Sequence, residues 1–254
     1  MTDSTQLFTQ RADNYAKYRP SYPPALVVAI RERCGVQAGA NVADIGSGTG
    51  ILTELFLKNG NQVFGVEPNE AMRQTAETAL AEYPHFTSVV GRAEETTLTA
   101  DSIDLVTAGQ AFHWFAPYST KIEFRRILRP KGLVALVWNE RSLDGSPFMQ
   151  AYELLSHQYA LNYRPSQQEQ EGHEQMIQQF FTGKIECREF SNEQHFDFEG
   201  LAGRHLSSSY TPMAGHALYE PMQRDLHHLF DTFQENNQVR FLYNTRLYFG
   251  PIAL

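Results

Sequence analysis

Gly46, Gly48 and Gly50 stand at alternate positions after the apolar run Val42-Ala43-Asp44-Ile45, and a carboxylate, Glu67, follows a second apolar run, Val63-Phe64-Gly65-Val66. Glycines let backbone approach a ligand closely and leave amide groups at a helix start open to a polar cofactor. An acid at the end of the next strand accepts hydrogen bonds from sugar hydroxyls. Together these residues have the chemistry to clamp an adenosine. The spacing then separates cofactors. A dinucleotide fingerprint needs its third glycine at position 51, where this chain has Ile51, and a P-loop needs a lysine followed by serine or threonine, which does not follow the turn. A second candidate is His113, which beside Trp114 falls at the end of an expected strand, where a histidine either transfers protons or is held by hydrogen bonds while the tryptophan packs a pocket wall.

These residues need strands and helices to position them. Between residues 41 and 138 short apolar runs alternate with helical patterns, which argues for a parallel sheet with helices on both faces. The pattern predicts strands over 41–45, 62–66, 87–90, 103–108 and 132–138, and helices over 24–34, 51–59, 69–82 and 118–128. Arg129-Pro130-Lys131-Gly132 closes the last helix, with glycine expected to take the turn. Beyond Trp138 the rhythm changes. A helix over 147–163 and a glutamine-rich stretch over 166–179 are expected outside the core sheet as a helical cap. Alternating strands over 184–197 and 239–249, with helices near 200–207 and 216–235 between them, are expected to add an antiparallel edge strand. The fold class is therefore α/β: a Rossmann-like doubly wound sheet, mostly parallel. Four divisions follow: an arm and helix (1–36), a cofactor-binding core (37–140), a helical insertion or cap (141–183), and strands and helices that complete the sheet (184–254).

Composition narrows the function. A formal charge of −8, with no basic run to reverse it locally, opposes nucleic acid as a partner. Cys34 and Cys187 stand far apart in no metal or redox spacing, and His216, His227 and His228 have no metal-ligand partners, so no metal is expected. The longest apolar stretch, Leu133 to Trp138, is too short to cross a bilayer, and the first residues carry no apolar signal core. The expectation is a soluble, cytoplasmic protein without a membrane partner.

The run Ala43-Asp44-Ile45-Gly46-Ser47-Gly48-Thr49-Gly50 resembles the first motif of the class I S-adenosylmethionine-dependent methyltransferases, and four further motifs follow in order over about half the chain. The resemblance implies S-adenosylmethionine as cofactor, held by Asp44, Gly46, Ser47, Gly48 and Gly50. It implies that Glu67 bonds both ribose hydroxyls and that Pro68 and Met72 flank the adenine. Gly91-Arg92-Ala93-Glu94 looks like the loop at the adenine edge, contacting it through the Ala93 backbone or the Glu94 side chain. Ala108 to Phe115 looks like the end of the fourth strand, with Gln110 beside the cofactor and His113 and Trp114 beside the substrate. Ile127 to Leu133 resembles the turn before the fifth strand.

The arm from Phe8 to Tyr22 is similar to that of small-molecule methyltransferases related to trans-aconitate methyltransferases, where it folds over the cofactor. Arg19 would then bond the methionine carboxylate and Tyr15 or Tyr18 the sulfonium, with Tyr18 also turned to the substrate. Gly109-Gln110-Ala111-Phe112 stands where amino methylation would place an Asn/Asp-Pro-Pro-Tyr run, which argues against base or glutamine methylation, and the family resemblance implies oxygen on a small molecule as the acceptor atom. Two rivals are a nicotinamide-dependent oxidoreductase, disfavoured by Ile51, and a non-catalytic cofactor-binding protein.

Overall fold

The computed structural model describes residues 12–161, 166–181 and 183–252; the part of the arm before Ala12 and the Cys34 side chain lie outside the described residues. Seven strands form one sheet in the order β3-β2-β1-β4-β5-β7-β6. β1 (Asn41–Ile45), β2 (Gln62–Val66), β3 (Phe86–Val89), β4 (Ile103–Gly109) and β5 (Leu128–Arg141) run parallel. β7 (Val239–Gly250) lies antiparallel against β5, and β6 (Glu186–Phe196) pairs antiparallel with β7 to make the outer edge. β1 sits between β2 and β4, so the chain leaves β1 to one side and returns on the other. The connections therefore diverge at the carboxyl ends of β1 and β4, which is where an open parallel sheet makes its crevice.

Alternate strand residues feed two apolar layers. On one face Leu26 and Ile30 of α2 (Ala25–Cys34), Leu52 and Phe56 of α3 (Ile51–Lys58), and Ala76 of α4 (Glu70–Ala79) cover Val42, Val63 and Leu105. On the other, Phe124 and Ile127 of α5 (Pro117–Ile127) cover Ala43, Val106 and Val134. The glutamine-rich stretch, expected outside the core sheet as a helical cap, forms α7 (Ser166–Phe180), whose Ile177 and Phe180 pack into this second layer. The Phe180 ring lies 4.7 Å from Phe112 and 6.0 Å from Phe124, so two apolar residues near its end bring an otherwise polar helix onto the sheet. A third cluster joins α6 (Pro147–Tyr159), α8 (Phe198–Leu206) and α9 (Tyr219–Phe233) to the far ends of β6 and β7.

One local expectation changes. β5 begins at Leu128, and its pairing slips between Ile103↔Leu128 and Leu105↔Leu133, so the proline-containing turn becomes a bulge within the strand. Lys131, at φ 73°, takes the left-handed position expected of Gly132. No helix among the described residues is long and apolar enough to cross a membrane.

Candidate functional site

The crevice at the carboxyl ends of β1, β2 and β4 has two halves. A cleft of about 810 Å3, open to solvent, is lined by Glu67, Pro68, Met72, Ala93, Glu94 and Trp114. A narrower space of about 420 Å3 lies beneath the arm, bounded by Arg19, Tyr22, Asp44, Ser47, Thr49 and Asn139. Tyr15, Gly46, Gly48 and Gln110 border both.

The turn after β1 builds the wall between them. Gly48 takes a left-handed φ of 56°, and a Cβ there would meet nothing within 4 Å, so the bare backbone faces the crevice. Gly46 is close to Ala111, whose Cβ would stand 2.8 Å from any Cβ on the glycine. Gly50 was grouped with the cofactor contacts, but it does not line either half. It begins α3 at φ 87°, where Leu80 would meet an added Cβ at 2.7 Å, and its place is in helix packing.

Glu67 extends directly from β2. Its Oε2 accepts from the Gly48 amide at 2.9 Å and its Oε1 from the Asn69 amide at 2.8 Å, while Asn69 caps α4 through the Met72 amide at 3.0 Å. Burial raises the Glu67 pKa, opposed by these two backbone bonds. The carboxylate is thus held at the lip of the cleft by its own turn and by the start of the next helix.

Asp44 is buried in the narrower half. Thr53 Oγ1 donates to its Oδ2 at 2.6 Å, whereas Oδ1 is buried with no hydrogen-bond partner. Burial pushes this carboxyl up to about 7, with the nearby Glu67 charge adding to the rise. Arg19 enters the same space from the arm. Its Nη2 donates to the Ser207 carbonyl at 3.0 Å, its guanidinium sits 4.9 Å from the Tyr15 ring, and its Nε is buried without a hydrogen-bond partner. Burial, and then the like charge of Arg204, lower the Arg19 pKa. Neither Arg19 nor Asp44 forms an ion pair among the described residues. One short space therefore presents an unsatisfied carboxylate oxygen and an unsatisfied guanidinium N–H.

Most residues expected at the site meet here; besides Gly50, three placements differ in kind. Glu94 lines the cleft, yet its Oε1 accepts from the Ala116 amide at 2.7 Å and so serves the start of α5. His113 does not line either half. The short 3₁₀ turn Phe112–Trp114 directs its ring against His173 of α7, 5.4 Å away and stacked, while Trp114 alone faces the cleft. Tyr18 also lies outside the lining; its hydroxyl donates to Glu199 of α8 at 3.0 Å. Sequence reasoning did not assign site roles to Tyr22 or Asn139, or to Arg92 and Phe115 within their motifs, and all four line the walls. Tyr22 was visible only as one aromatic of the arm. Burial raises its hydroxyl well above the ordinary phenol range, which keeps it neutral.

Gln110 follows β4 at a left-handed φ of 56°, uncommon for a residue with a side chain. Its amide donates to the Val137 carbonyl at 2.9 Å and its Nε2 to the Asn139 carbonyl at 2.9 Å, which together fix it across the end of β5. This is backbone strain held by neighbouring strands at the junction of the two halves.

Residues 43–136 match the methyltransferase domain family. The chain is similar to an uncharacterized methyltransferase of Mycobacterium bovis, 36% identical over 139 residues, covering 55% of this chain and 54% of the relative. It therefore spans about half the length of the curated relatives it matches. Among solved structures, a putative type II methyltransferase from Anaeromyxobacter dehalogenans shares 20% identity at a TM-score of 0.63, over 93% of this chain and 99% of that one. Phosphoethanolamine N-methyltransferase 2 of Haemonchus contortus, solved with phosphomonomethylethanolamine and S-adenosylhomocysteine, gives 17% identity and a TM-score of 0.54, over 99% of this chain and 59% of that one. At such identities the likeness is one of fold, and it extends beyond the matched domain to β6 and β7.

Proposed function

We propose that this chain, whose residues 43–136 are a class I S-adenosylmethionine-dependent methyltransferase domain, is an enzyme that moves a methyl group from S-adenosylmethionine to oxygen of a small-molecule acceptor. The observation that carries the reading is the pair of unsatisfied groups in the narrow half of the crevice. Asp44 Oδ1 and Arg19 Nε match the ammonium and carboxylate of an amino-acid zwitterion, and Glu67 stands at the lip where a ribose would lie. A nicotinamide cofactor has no such zwitterion, so this chemistry favours the methionine-bearing nucleoside over a dinucleotide. The arm's position over this space also supports the likeness to the small-molecule branch suggested by its sequence.

When bound, S-adenosylmethionine supplies a methyl group on a sulfonium, a good leaving group displaced in line by a nucleophile. The chain's residues then have three tasks. Glu67 and the Gly46–Gly48 backbone fix the nucleoside, with Pro68, Met72 and Ala93 bounding the adenine. Arg19 and Asp44 orient the amino-acid end, and the Tyr15 ring, already facing one cation, contacts another. The arm excludes water, so that alignment and a dry site account for most of the acceleration. An ionised oxygen acceptor needs no general base, in keeping with the stacking of His113 outside the crevice. The site residues of the domain, including Trp114 as a wall toward the acceptor, are part of this proposal.

Calorimetry with S-adenosylhomocysteine and with NADH tests the reading directly: binding of the first and not the second is expected, and the reverse would sink it. Mass spectrometry of a metabolite extract incubated with labelled S-adenosylmethionine should then show a labelled small molecule. Binding of the nucleoside with no labelled product across the extract would favour a non-catalytic protein.

A further inference from the structure

Resting on that reading, we infer that Tyr18 and Gly203 form a latch that positions Arg19 and Tyr15 over the donor, Tyr18 being a positioning residue rather than a substrate contact. α1 (Ala12–Tyr18) lies across α8, and the Tyr18 ring fills a notch that exists only because residue 203 has no side chain. A Cβ on Gly203 would overlap Tyr18 Cε2 and Cδ2 and stand 2.7 Å from Cζ. Around this ring the arm is tied at Tyr18 and Ser21. The Tyr18 hydroxyl donates to Glu199 at 3.0 Å, Gln194 Nε2 donates to the Tyr18 carbonyl at 3.2 Å, and Asn192 Nδ2 donates to the Ser21 carbonyl at 2.7 Å. Lys17 also pairs with Glu199 at 3.2 Å, but both side chains are largely exposed and such a pair adds little.

A latch is needed because Arg19 does not favour its own position. Its guanidinium is drawn out of water toward a second buried cation, Arg204, whose Nε donates to the Tyr243 hydroxyl at 2.8 Å and which forms no ion pair among the described residues. Desolvation and like charge both oppose this placement. Tyr18, the residue immediately before Arg19, is held by a fitted ring and a carbonyl bond that do not depend on ligand. These contacts offset the cost of burying Arg19, so that the donor meets a guanidinium already in place.

Gly203→Ala tests the latch without touching the crevice. Alanine is the better helix former, so α8 is not weakened, but the Tyr18 ring must leave the notch. We expect S-adenosylhomocysteine affinity by calorimetry to fall about tenfold if the docked arm drops to about a tenth of the population. Hydrogen exchange over residues 12–22 should accelerate while the ligand-free melting temperature holds. Tyr18→Ala should weaken binding likewise, and in that background Gly203→Ala should add nothing, since the ring it displaces is gone. Tyr18→Phe, which keeps the ring and loses the Glu199 bond, should restore most of the affinity. Unchanged affinity in Gly203→Ala, or additive losses in the double variant, would overturn the latch while leaving the donor reading intact. Absence of S-adenosylhomocysteine binding in the wild type would instead overturn the donor reading and this inference with it.

Discussion

On the β2 side of the crevice the walls are held by close neighbours in the chain: Glu67 is fixed by Gly48 and Asn69, and Asn69 in turn starts α4. On the arm side the ties run to α8 and β6, from Lys17 to Glu199, from Tyr18 to Gln194 and from Arg19 to Ser207, across sequence separations of 176 to 188 residues. The first half depends only on contacts among β1, β2 and the start of α4. The second is complete only when the last quarter of the chain has folded. On the proposed reading, the nucleoside end of the donor would meet a surface held by local contacts, and its amino-acid end a surface assembled by long-range contacts, whose stability is set separately.

Substitutions should separate the two halves. The largest effect is expected at Asp44. Its folded-state pKa of about 7 lies above the ordinary 3.8, so the folded protein holds the extra proton and this group's contribution to stability falls as pH rises from about 4 to 7. Asp44→Asn keeps an acceptor for Thr53 and should stabilise the ligand-free protein by about 2–4 kcal/mol at pH 8, while weakening S-adenosylhomocysteine binding. A loss of stability in thermal or urea unfolding would mean that the carboxylate has a partner in the folded protein. Because the donor's ammonium favours the ionised acid, wild-type affinity should rise as pH increases through 7, with proton release visible as a buffer-dependent calorimetric enthalpy. A flat profile would remove Asp44 from the site.

Arg19→Ala should cost about 1.5–3 kcal/mol of binding through loss of a charged hydrogen bond. Glu67→Ala should cost about 1–3 kcal/mol. The contrast between them lies in ligand dependence: adenosine alone should be sensitive to Glu67→Ala and indifferent to Arg19→Ala, and equal sensitivity would erase the division between the halves. The smallest effect is expected at Glu94. If its main role is at the start of α5, Glu94→Gln should lower stability by about 0.3–1 kcal/mol and leave donor affinity unchanged. A large loss of affinity would return Glu94 to the adenine.

The same contrast explains what was legible in the sequence. The β1 turn, Glu67 and the boundaries of β1 and β2 follow from short-range spacing, because strand, turn and helix constrain one another within a few residues. The role of Tyr18 was not legible, since its partner is a glycine on a helix far along the chain and neither residue carries a motif. Which of the two readings of His113 holds was not legible for a related reason, although its placement beside His173 with Trp114 on the wall matches the held histidine rather than the proton-transfer one. Its position after β4 was correct, but the direction of its ring depends on His173 of α7, a helix whose polar composition concealed its apolar contacts. Gly50 was grouped with its neighbours by pattern, although alternate positions of a tight turn face different surroundings. β5 shows that even a well-placed turn signal can be absorbed when flanking strands supply hydrogen-bond partners on both sides of it.

The edge strand β6 has a consequence for the behaviour of many copies together. An open sheet border is a template on which another polypeptide can continue the ladder. Along this one Glu186, Arg188, Glu189 and Glu193 are engaged with Arg33, Arg240 and Arg246 or with one another, and most of their side chains stay wet. A newcomer would have to dehydrate that charged fringe, so lateral growth into fibrils is discouraged along β6.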